Sequence, residues 1–426
     1  MITVALVFIV TLVFGLPIAF ALGITGTVQA AMMDNPRMMV MLPQRMFAAS
    51  DNFSLMAIPL FVLAGELMGF GGITEALANM SRSVIGHIRG GLAYVTVVVG
   101  VFLGALLGSA NAAAALLGKV MYPEMRKDEY DDVFSSCLVA ATSILGPIIP
   151  PSMIFIVYGV AANLSIGELF FAGIVPGLML ACGYIMAIWW IGRQKKWPIR
   201  IRAGMGEVTT SFIKAAPSLL VPIIILGGIL GGITTPAESA AAASVVSMFL
   251  GVFVYKKLRL AHILPILEQT GVVSASIMII VAMANILGWT MALEQVPQEI
   301  ANALLALTTN KYVALLLINV FLIFVGMVME TVAAIIILVP VFLPIVQTLG
   351  IDPLHFGLVV SFNLIVGLLT PPVGVALFTT SIVTGVSLQK LIKPIWYWVG
   401  MALFILILIT YIPDLVTFLP RMVFKH

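Results

Sequence analysis

Charge is what this 426-residue chain has least of, with only 9% of its residues Asp, Glu, Lys or Arg. Soluble domains carry about 25%. With 62% apolar residues and a mean hydropathy of +1.17, the composition excludes a water-soluble globular fold. Two cysteines, Cys137 and Cys182, rule out a disulfide framework, and their apolar context reads as helix packing. The four histidines (His87, His262, His355 and His426) are isolated, with no H-E-x-x-H pair and no Cys/His cluster. No G-x-x-x-x-G-K-[ST] loop suggests an ATP-driven pump, and Ser and His form no nucleophile arrangement. An enzyme reading has no anchor, since an intramembrane enzyme would need a catalytic dyad at matched depth. The net charge of +3 reflects loop lysines and arginines, not a nucleic-acid face. The opening Met1-Ile2-Thr3-Val4 has no basic stretch or small-residue cleavage site, so it reads as a first membrane segment.

What the chain has in abundance is long apolar runs, many exceeding the ~18 residues that span a bilayer. They are helical rather than the ~10-residue alternating segments of a membrane barrel. The runs are 2–14 and 17–33 (two helices or one bent helix), 53–72, 133–162 and 168–192. A polar, basic link at 193–214 follows, then 215–233, 237–255, 265–292, 354–384 and 390–418. Two further stretches, 92–121 and 311–348, are interrupted at Gly108-Ser109-Ala110-Asn111 and Met329-Glu330-Thr331. Each suits a helical hairpin that enters the membrane and returns, although length alone also allows a full crossing. The expected fold class is an all-α integral membrane protein of about ten transmembrane helices plus two re-entrant hairpins.

Two segments are broken in the same way. Gly146-Pro147-Ile148-Ile149-Pro150-Pro151 and Gly367-Leu368-Leu369-Thr370-Pro371-Pro372 share their spacing and lie 371 − 150 = 221 residues apart. Proline removes a backbone donor and clashes with the preceding turn, so each segment must be a broken helix. In lipid a freed carbonyl is tolerated only where protein or a wet cavity covers it. Paired broken helices in two halves point to the binding site of a secondary transporter. The same offset pairs Ser109 with Glu330, Ala110 with Thr331 and Pro123 with Pro344, and Pro17 pairs with Pro236 at 219. Five crossings between the hairpins invert the second copy. The plan is therefore an inverted repeat with two halves, 1–192 and 215–426. The first holds scaffold helices 1–72, an arm helix 74–90, hairpin 92–121, broken helix 133–162 and helix 168–192. The second holds scaffold helices 215–292, arm 294–309, hairpin 311–348, broken helix 354–384 and helix 390–418.

The arms are mixed in polarity and read as interfacial amphipathic helices, with plain loops the alternative. Charge sets the orientation. With the 193–214 link in the cytoplasm, Arg193, Lys195, Lys196, Arg200, Arg202 and Lys214 lie inside. Arg82, Arg89, Lys119, Arg126, Lys127, Lys256, Lys257, Arg259, Lys390 and Lys393 join them. Only Arg37, Arg45, Lys311, Arg421 and Lys425 remain outside, which agrees with the positive-inside rule and puts the C-terminus outside.

A cation entering lipid needs oxygen ligands, which broken helices supply as unpaired carbonyls and hairpin tips as Ser, Thr and Asn. The candidates in the first half are Ser109, Asn111, Thr142, Ser143 and Gly146. Those in the second half are Met329 through its carbonyl, Thr331, Asn363, Gly367 and Thr370. Ser109, Pro150, Pro151, Ser152, Glu330, Pro371 and Pro372 are candidates for holding a solute or stabilising the tips. The competing reading is that Gly, Ser and Thr only allow close helix packing. Intramembrane carboxylates are costly and functional by default. Glu330 sits at a tip, and Glu66, between Gly65 and Gly69, is open between packing and proton linkage. Glu238 in Thr235-Pro236-Ala237-Glu238 reads as helix-start chemistry, and Asp51 and Asn52 as caps. Inward movement of one charge at ~100 mV contributes about 2.3 kcal/mol. Two cation sites would thus supply roughly 4–5 kcal/mol, over a thousandfold accumulation of a neutral solute.

These residues resemble the large membrane subunit of TRAP (tripartite ATP-independent periplasmic) transporters. The resemblance runs through Ile58-Pro59-Leu60-Phe61-Val62-Leu63-Ala64-Gly65-Glu66-Leu67-Met68, Gly108-Ser109-Ala110, Ile149-Pro150-Pro151-Ser152 and Leu164-Ser165-Ile166-Gly167-Glu168-Leu169-Phe170. Ala172-Gly173-Ile174-Val175-Pro176-Gly177, Gly326-Met327-Val328-Met329-Glu330, Gly350-Ile351-Asp352-Pro353 and Leu369-Thr370-Pro371-Pro372-Val373-Gly374 continue it. One departure is the alanine run from Ala112 to Ala115 followed by Lys119, where the family usually carries more polar or bulkier residues. The resemblance implies a sodium-coupled importer of organic acids (C4-dicarboxylates, sugar acids or sialic acid) in a bacterial inner membrane. It implies an elevator mechanism, a small membrane subunit and a soluble periplasmic substrate-binding protein as partners. Na+ would be the coupling ion, at two or more sites, with no transition metal and no organic cofactor. The alternative is an ion-coupled transporter, proton-driven or not, or a channel, working without a binding protein.

Overall fold

In the computed structural model, residues 2–424 are described except Asp34, Lys196, Pro198, Arg200 and Ile201. Met1, Lys196, Arg200, Lys425 and His426, which enter the readings above, lie outside the described residues. The described residues that form regular structure are helical.

The N-terminal run is two helices, α1 (Ile2–Val13) and α2 (Ile18–Met32), separated at Pro17. The next, α3 (Pro36–Ser50), was not anticipated. Asn35 accepts a hydrogen bond from the Arg37 N–H and Pro36 occupies the first helical position, both helix-start features. Asp51 ends α3 through its backbone, while the Asn52 side chain accepts from Ser54 N–H at 2.9 Å. Only Asn52 is therefore a side-chain cap. It opens a short turn (Phe53–Met56) that leads into α4 (Ala57–Phe70).

Helix α5 (Ile73–Ile85) buries Ile73, Leu77 and Ala78 and turns Glu75 and Asn79 outward. It is followed by α6 (Gly91–Leu107) and α7 (Ala110–Lys127), joined at Gly108-Ser109. The second of this pair runs six residues past the expected end at 121, through Pro123. Then come α8 (Asp132–Ser143), a break, α9 (Met153–Ala162) and α10 (Ile166–Gln194). Helix α11 (Met205–Leu230) begins ten residues before the expected 215, so the basic link is half helix. Threonines at 209 and 210 return their hydroxyls to backbone carbonyls there, which lets polar residues continue a helix.

Helix α12 (Pro236–Phe249) opens on a full capping box between Thr235 and Glu238, as the sequence suggests, and ends in a π-turn at Leu250–Val254. The remaining helices are α13 (Leu260–Leu293), α14 (Val296–Leu307), α15 (Lys311–Val328), α16 (Thr331–Thr348), α17 (Pro353–Gly367), α18 (Val375–Thr384) and the short α19 (Leu388–Ile392). The expected single helix 390–418 is instead α20 (Trp396–Tyr411) and α21 (Asp414–Phe424), bent by 59°. Pro413 sits in the break, where a missing N–H cannot continue the ladder.

Among the described residues, seven helices are long and apolar enough to cross a membrane, or eight with the bent pair counted as one. Length and apolarity alone admit α15 and α16, expected as a re-entrant hairpin, and pass over the broken helices. The broken helices supply only pieces of 10–15 residues, each too short to pass alone. Those pieces form the centre of the molecule. Every residue of α8 from Phe134 to Ser143, and of α17 from Leu354 to Gly367, is buried. A helix apolar all round belongs in a core. Around them the packing is reciprocal: α7 lies against α8 and α18, and α16 against α17 and α9. Helix α13 packs on α2, α3, α4 and α16. Cys137 is buried as expected, but Cys182 is exposed on α10 and fills no packing gap.

Candidate functional site

The turn between α6 and α7 and the turn between α15 and α16 converge on one cavity of about 250 Å³. Ser109 and Asn111 line it from the first turn, Glu330 and Thr331 from the second. Met153 at the start of α9 and Leu368 at the end of α17 contribute from the breaks, and Ser276 of α13 faces them. Left-handed backbone at Gly108 (φ +57°) lets the first turn reverse tightly, whereas Met329 and Glu330 turn in extended conformation.

Most polar atoms here have partners within their own helix. Ser143 donates to Ala140 O at 2.7 Å and Thr370 to Val366 O at 2.8 Å. Ser152 donates to Pro147 O at 2.5 Å and caps α9, accepting from Phe155 N–H at 3.5 Å. It therefore closes the first break. Glu330 is exposed and its carboxylate caps α16, accepting from Ala333 N–H at 3.2 Å. Ser109 stands at the N-cap position of α7 without a side-chain cap bond. Met329 is half-buried, and its N–H bonds back to Val325 O at 2.8 Å. Pro150, Pro151 and Pro371 are buried and Pro372 is exposed; both Pro-Pro bonds are cis.

Four side-chain oxygens behave differently. Asn111 Oδ1, Thr142 Oγ1, Thr331 Oγ1 and Asn363 Oδ1 are buried with no hydrogen-bond partner. Each such atom carries a desolvation penalty of about 1–3 kcal/mol. They fall into two sets, each with one residue from a turn and one from a broken helix. Thr142 and Asn363 are also 363 − 142 = 221 residues apart, the offset of the Pro-Pro steps. At the first break, a methyl group placed on Gly146 would lie 3.1 Å from Ser143 O and 3.6 Å from Ser109 O. In the second set the backbones touch outright, and a methyl on Gly367 would come within 2.5 Å of the Gly326 carbonyl carbon.

Sequence reasoning missed the residues that aim Asn363. Its Nδ2 donates to Asn319 O at 3.0 Å and Asn319 Oδ1 at 2.9 Å. Asn319 Nδ2 in turn donates to Thr410 Oγ1 at 3.0 Å. With its amide nitrogen held, Asn363 presents its oxygen bare. Asn319 could have been found, as the sole polar residue in the apolar run from 313 to 328. Glu66 is half-buried on α4 and does not line the cavity. Glu238 is spent on its cap, accepting from Thr235 N–H at 2.7 Å. The four bare oxygens are neutral, the Glu330 carboxylate lines the same cavity, and among the described residues no group of three or more His, Cys, Asp or Glu could hold a metal ion.

A multi-pass helical membrane protein whose broken helices and paired turns meet at one small, mainly apolar cavity with a few polar side chains has the build of a secondary transporter. The fold is shared with the Alcanivorax borkumensis YdaH transporter, at a TM-score of 0.64 and 15% identity, covering 97% of this chain and 99% of that one. The sequence profile of the family described as "Tripartite ATP-independent periplasmic transporter, DctM component" matches residues 5–415, and the chain belongs to that family. It is 38% identical over 401 residues to the C4-dicarboxylate TRAP transporter large permease protein DctM of Pseudomonas aeruginosa, covering 94% of each. It is 39% identical over 414 residues to the isethionate TRAP transporter permease protein DctMQ of Oleidesulfovibrio alaskensis. That match takes in 96% of this chain but spans only 65% of the relative. Such relatives are transporter permeases, and the protein is not an enzyme.

Proposed function

We propose that this chain is the large membrane subunit of a sodium-coupled importer of an organic acid, with Na+ bound at two sites. One site is built from Asn111 and Thr142 with the carbonyls of Ser109 and Ser143 around Gly146. The other is built from Thr331 and Asn363 with the carbonyl of Met329 and the backbone of Gly367 to Thr370. Between them the acid sits at the two turns, where Ser109 and Thr331 offer hydroxyls. One observation carries this reading: four of the candidate residues keep a partnerless buried oxygen, one at each turn and one in each broken helix, and the broken-helix pair Thr142 and Asn363 keeps the 221-residue offset of the Pro-Pro steps. A cation satisfies such oxygens and an apolar packing role does not.

The two halves act as an inverted repeat, and the unit carrying both turn pairs and both broken helices moves as an elevator against a scaffold that includes α4, α12 and α13. Amphipathic α5 and α14 connect the two. The basic side faces the cytoplasm of a bacterial inner membrane and the C-terminus lies outside. A small membrane subunit and a periplasmic binding protein complete the system. The fused name and greater length of the DctMQ relative support the first partner. The binding protein selects the acid, and the two relatives' names, one for a sulfonate and one for dicarboxylates, fit a permease that accepts small organic anions in general.

Uptake into proteoliposomes containing the chain and its small subunit, with binding protein and radiolabelled acid outside, tests the proposal. Uptake is expected to require the binding protein and an inward sodium gradient. Uptake that persists without the binding protein, or that follows a pH gradient and ignores sodium, overturns it.

A further inference from the structure

A second, larger cavity lies away from the turns. Of about 990 Å³, it opens between α5, the N-terminal end of α11 and the residues that follow α12. Four cations line it, Arg82, Arg202, Lys214 and Lys257, against two carboxylates, Glu75 and Glu207. Lys257 is held by Glu75, and one terminal nitrogen of Arg82 by Glu124 at 3.4 Å. Arg202 and Lys214 make no ion pair among the described residues. Arg82 Nε and His87 Nδ1 are buried in the cavity wall with no hydrogen-bond partner. The Arg82 N–H is a buried donor beside surplus positive charge, as is His87 Nδ1 when it carries the ring proton, and an oxyanion would satisfy both.

The rim of the same cavity is apolar. Ile213 of α11 is 65% exposed and Val254 of the π-turn 45% exposed, with Pro217 of α11 also in the cavity wall. Both segments belong to helices apolar enough to lie in a bilayer. An occupant must therefore carry an anionic head and hydrocarbon chains. Free phosphate would answer the cations and leave the rim bare. A zwitterionic lipid would bring its own ammonium against Arg202 and Lys214. Basic pockets between membrane helices suit acidic lipid headgroups.

We propose that this cavity binds the phosphate of an anionic phospholipid, with Arg82, His87, Arg202 and Lys214 around the headgroup and the acyl chains on Ile213, Pro217 and Val254. This site is independent of the transport reading, and it sits on α5, the segment that leads from α4 into the first turn pair.

Native mass spectrometry of the full chain, delipidated in detergent and titrated with phosphatidylglycerol or phosphatidylcholine, tests the site. Phosphatidylglycerol is expected to bind more tightly, and the double variant Arg202→Gln/Lys214→Gln to weaken it by about thirtyfold while leaving phosphatidylcholine unchanged. Both side chains are exposed, so folding should survive. The double variant Ile213→Ser/Val254→Ser is expected to weaken it as well, by loss of chain contacts. A control pair, Lys390→Gln/Lys393→Gln, should have no effect. Equal binding of the two lipids, an unaffected Arg202/Lys214 variant, or equal loss in the control pair overturns the proposal. Displacement by millimolar inorganic phosphate, with the Ile213/Val254 variant unaffected, assigns the cavity to a soluble anion instead and overturns it too.

Discussion

Every residue of the first break, from Ile144 to Ser152, is buried, whereas in the second break Pro372 and Val373 are exposed, Val373 by 45%. The two segments share their glycine-to-proline spacing but close differently. Ser152 ties its hydroxyl to Pro147 O and caps α9. Val373 stands at the corresponding position, 152 + 221, and has no hydroxyl to offer. The second break has the Thr370 hydroxyl on Val366 O and a backbone closure, with Ala376 N–H donating to Leu368 O at 3.0 Å and Gly374 in left-handed conformation. The bare oxygens differ as well. Asn363 is aimed by Asn319, while the Thr142 hydroxyl has no such holder. One backbone device thus serves two purposes: a locked seat in the first half and an accessible, side-chain-tuned one in the second.

Thiol labelling gives the largest expected contrast. In a Cys182→Ser background, Val373→Cys should react fully with a water-soluble maleimide and Ile149→Cys not at all, as read by mass spectrometry. Equal labelling would erase the asymmetry between the breaks. Next comes Gly367→Ala, which drives a methyl into the Gly326 backbone. It should cost more than the about 1–3 kcal/mol typical of overpacking and abolish uptake. Gly146→Ala meets its nearest atom at 3.1 Å and should lower the Tm far less. Ser152→Ala should destabilise by about 1–3 kcal/mol, seen as a lower Tm of the purified protein, because Pro147 O and the α9 cap lose their partner. Thr142→Val keeps shape and removes one oxygen. It is expected to leave Tm unchanged and raise the sodium concentration for half-maximal uptake about tenfold, about 1.4 kcal/mol. The smallest effect belongs to Glu330→Gln, whose amide oxygen can still cap α16, so Tm should move by an amount equivalent to about 0.5 kcal/mol or less.

Much of the helix plan was legible because its causes are local. The α12 start at Thr235-Pro236-Ala237-Glu238 is set by a capping box within four residues. The interruptions at Gly108-Ser109 and Met329-Glu330 fall where the helices stop. Where amphipathic or polar helix was mistaken for link, as in α3 and the first ten residues of α11, hydropathy was the wrong signal. Short-range caps and hydroxyl-to-carbonyl bonds carried those helices instead. The candidate site was legible only in part. Asn111, Thr142, Thr331 and Asn363 hold the bare oxygens, but Ser143, Ser152 and Thr370 spend their hydroxyl hydrogens locally. Which serine or threonine does which depends on rotamers and neighbours that spacing does not encode.

The sequence by itself determined that this chain lives in a membrane, where its helices break, and that the two breaks repeat at one interval. Hydration of apolar surface and the missing proline N–H act on a residue and its nearest neighbours, so composition and spacing suffice. Only the tertiary structure decided that both turns meet over one cavity and that Asn319, 44 residues before Asn363, orients its amide. It also decided that one break is sealed while its counterpart is open. Those outcomes rest on contacts between distant segments, where packing selects among partners that the linear order leaves equivalent.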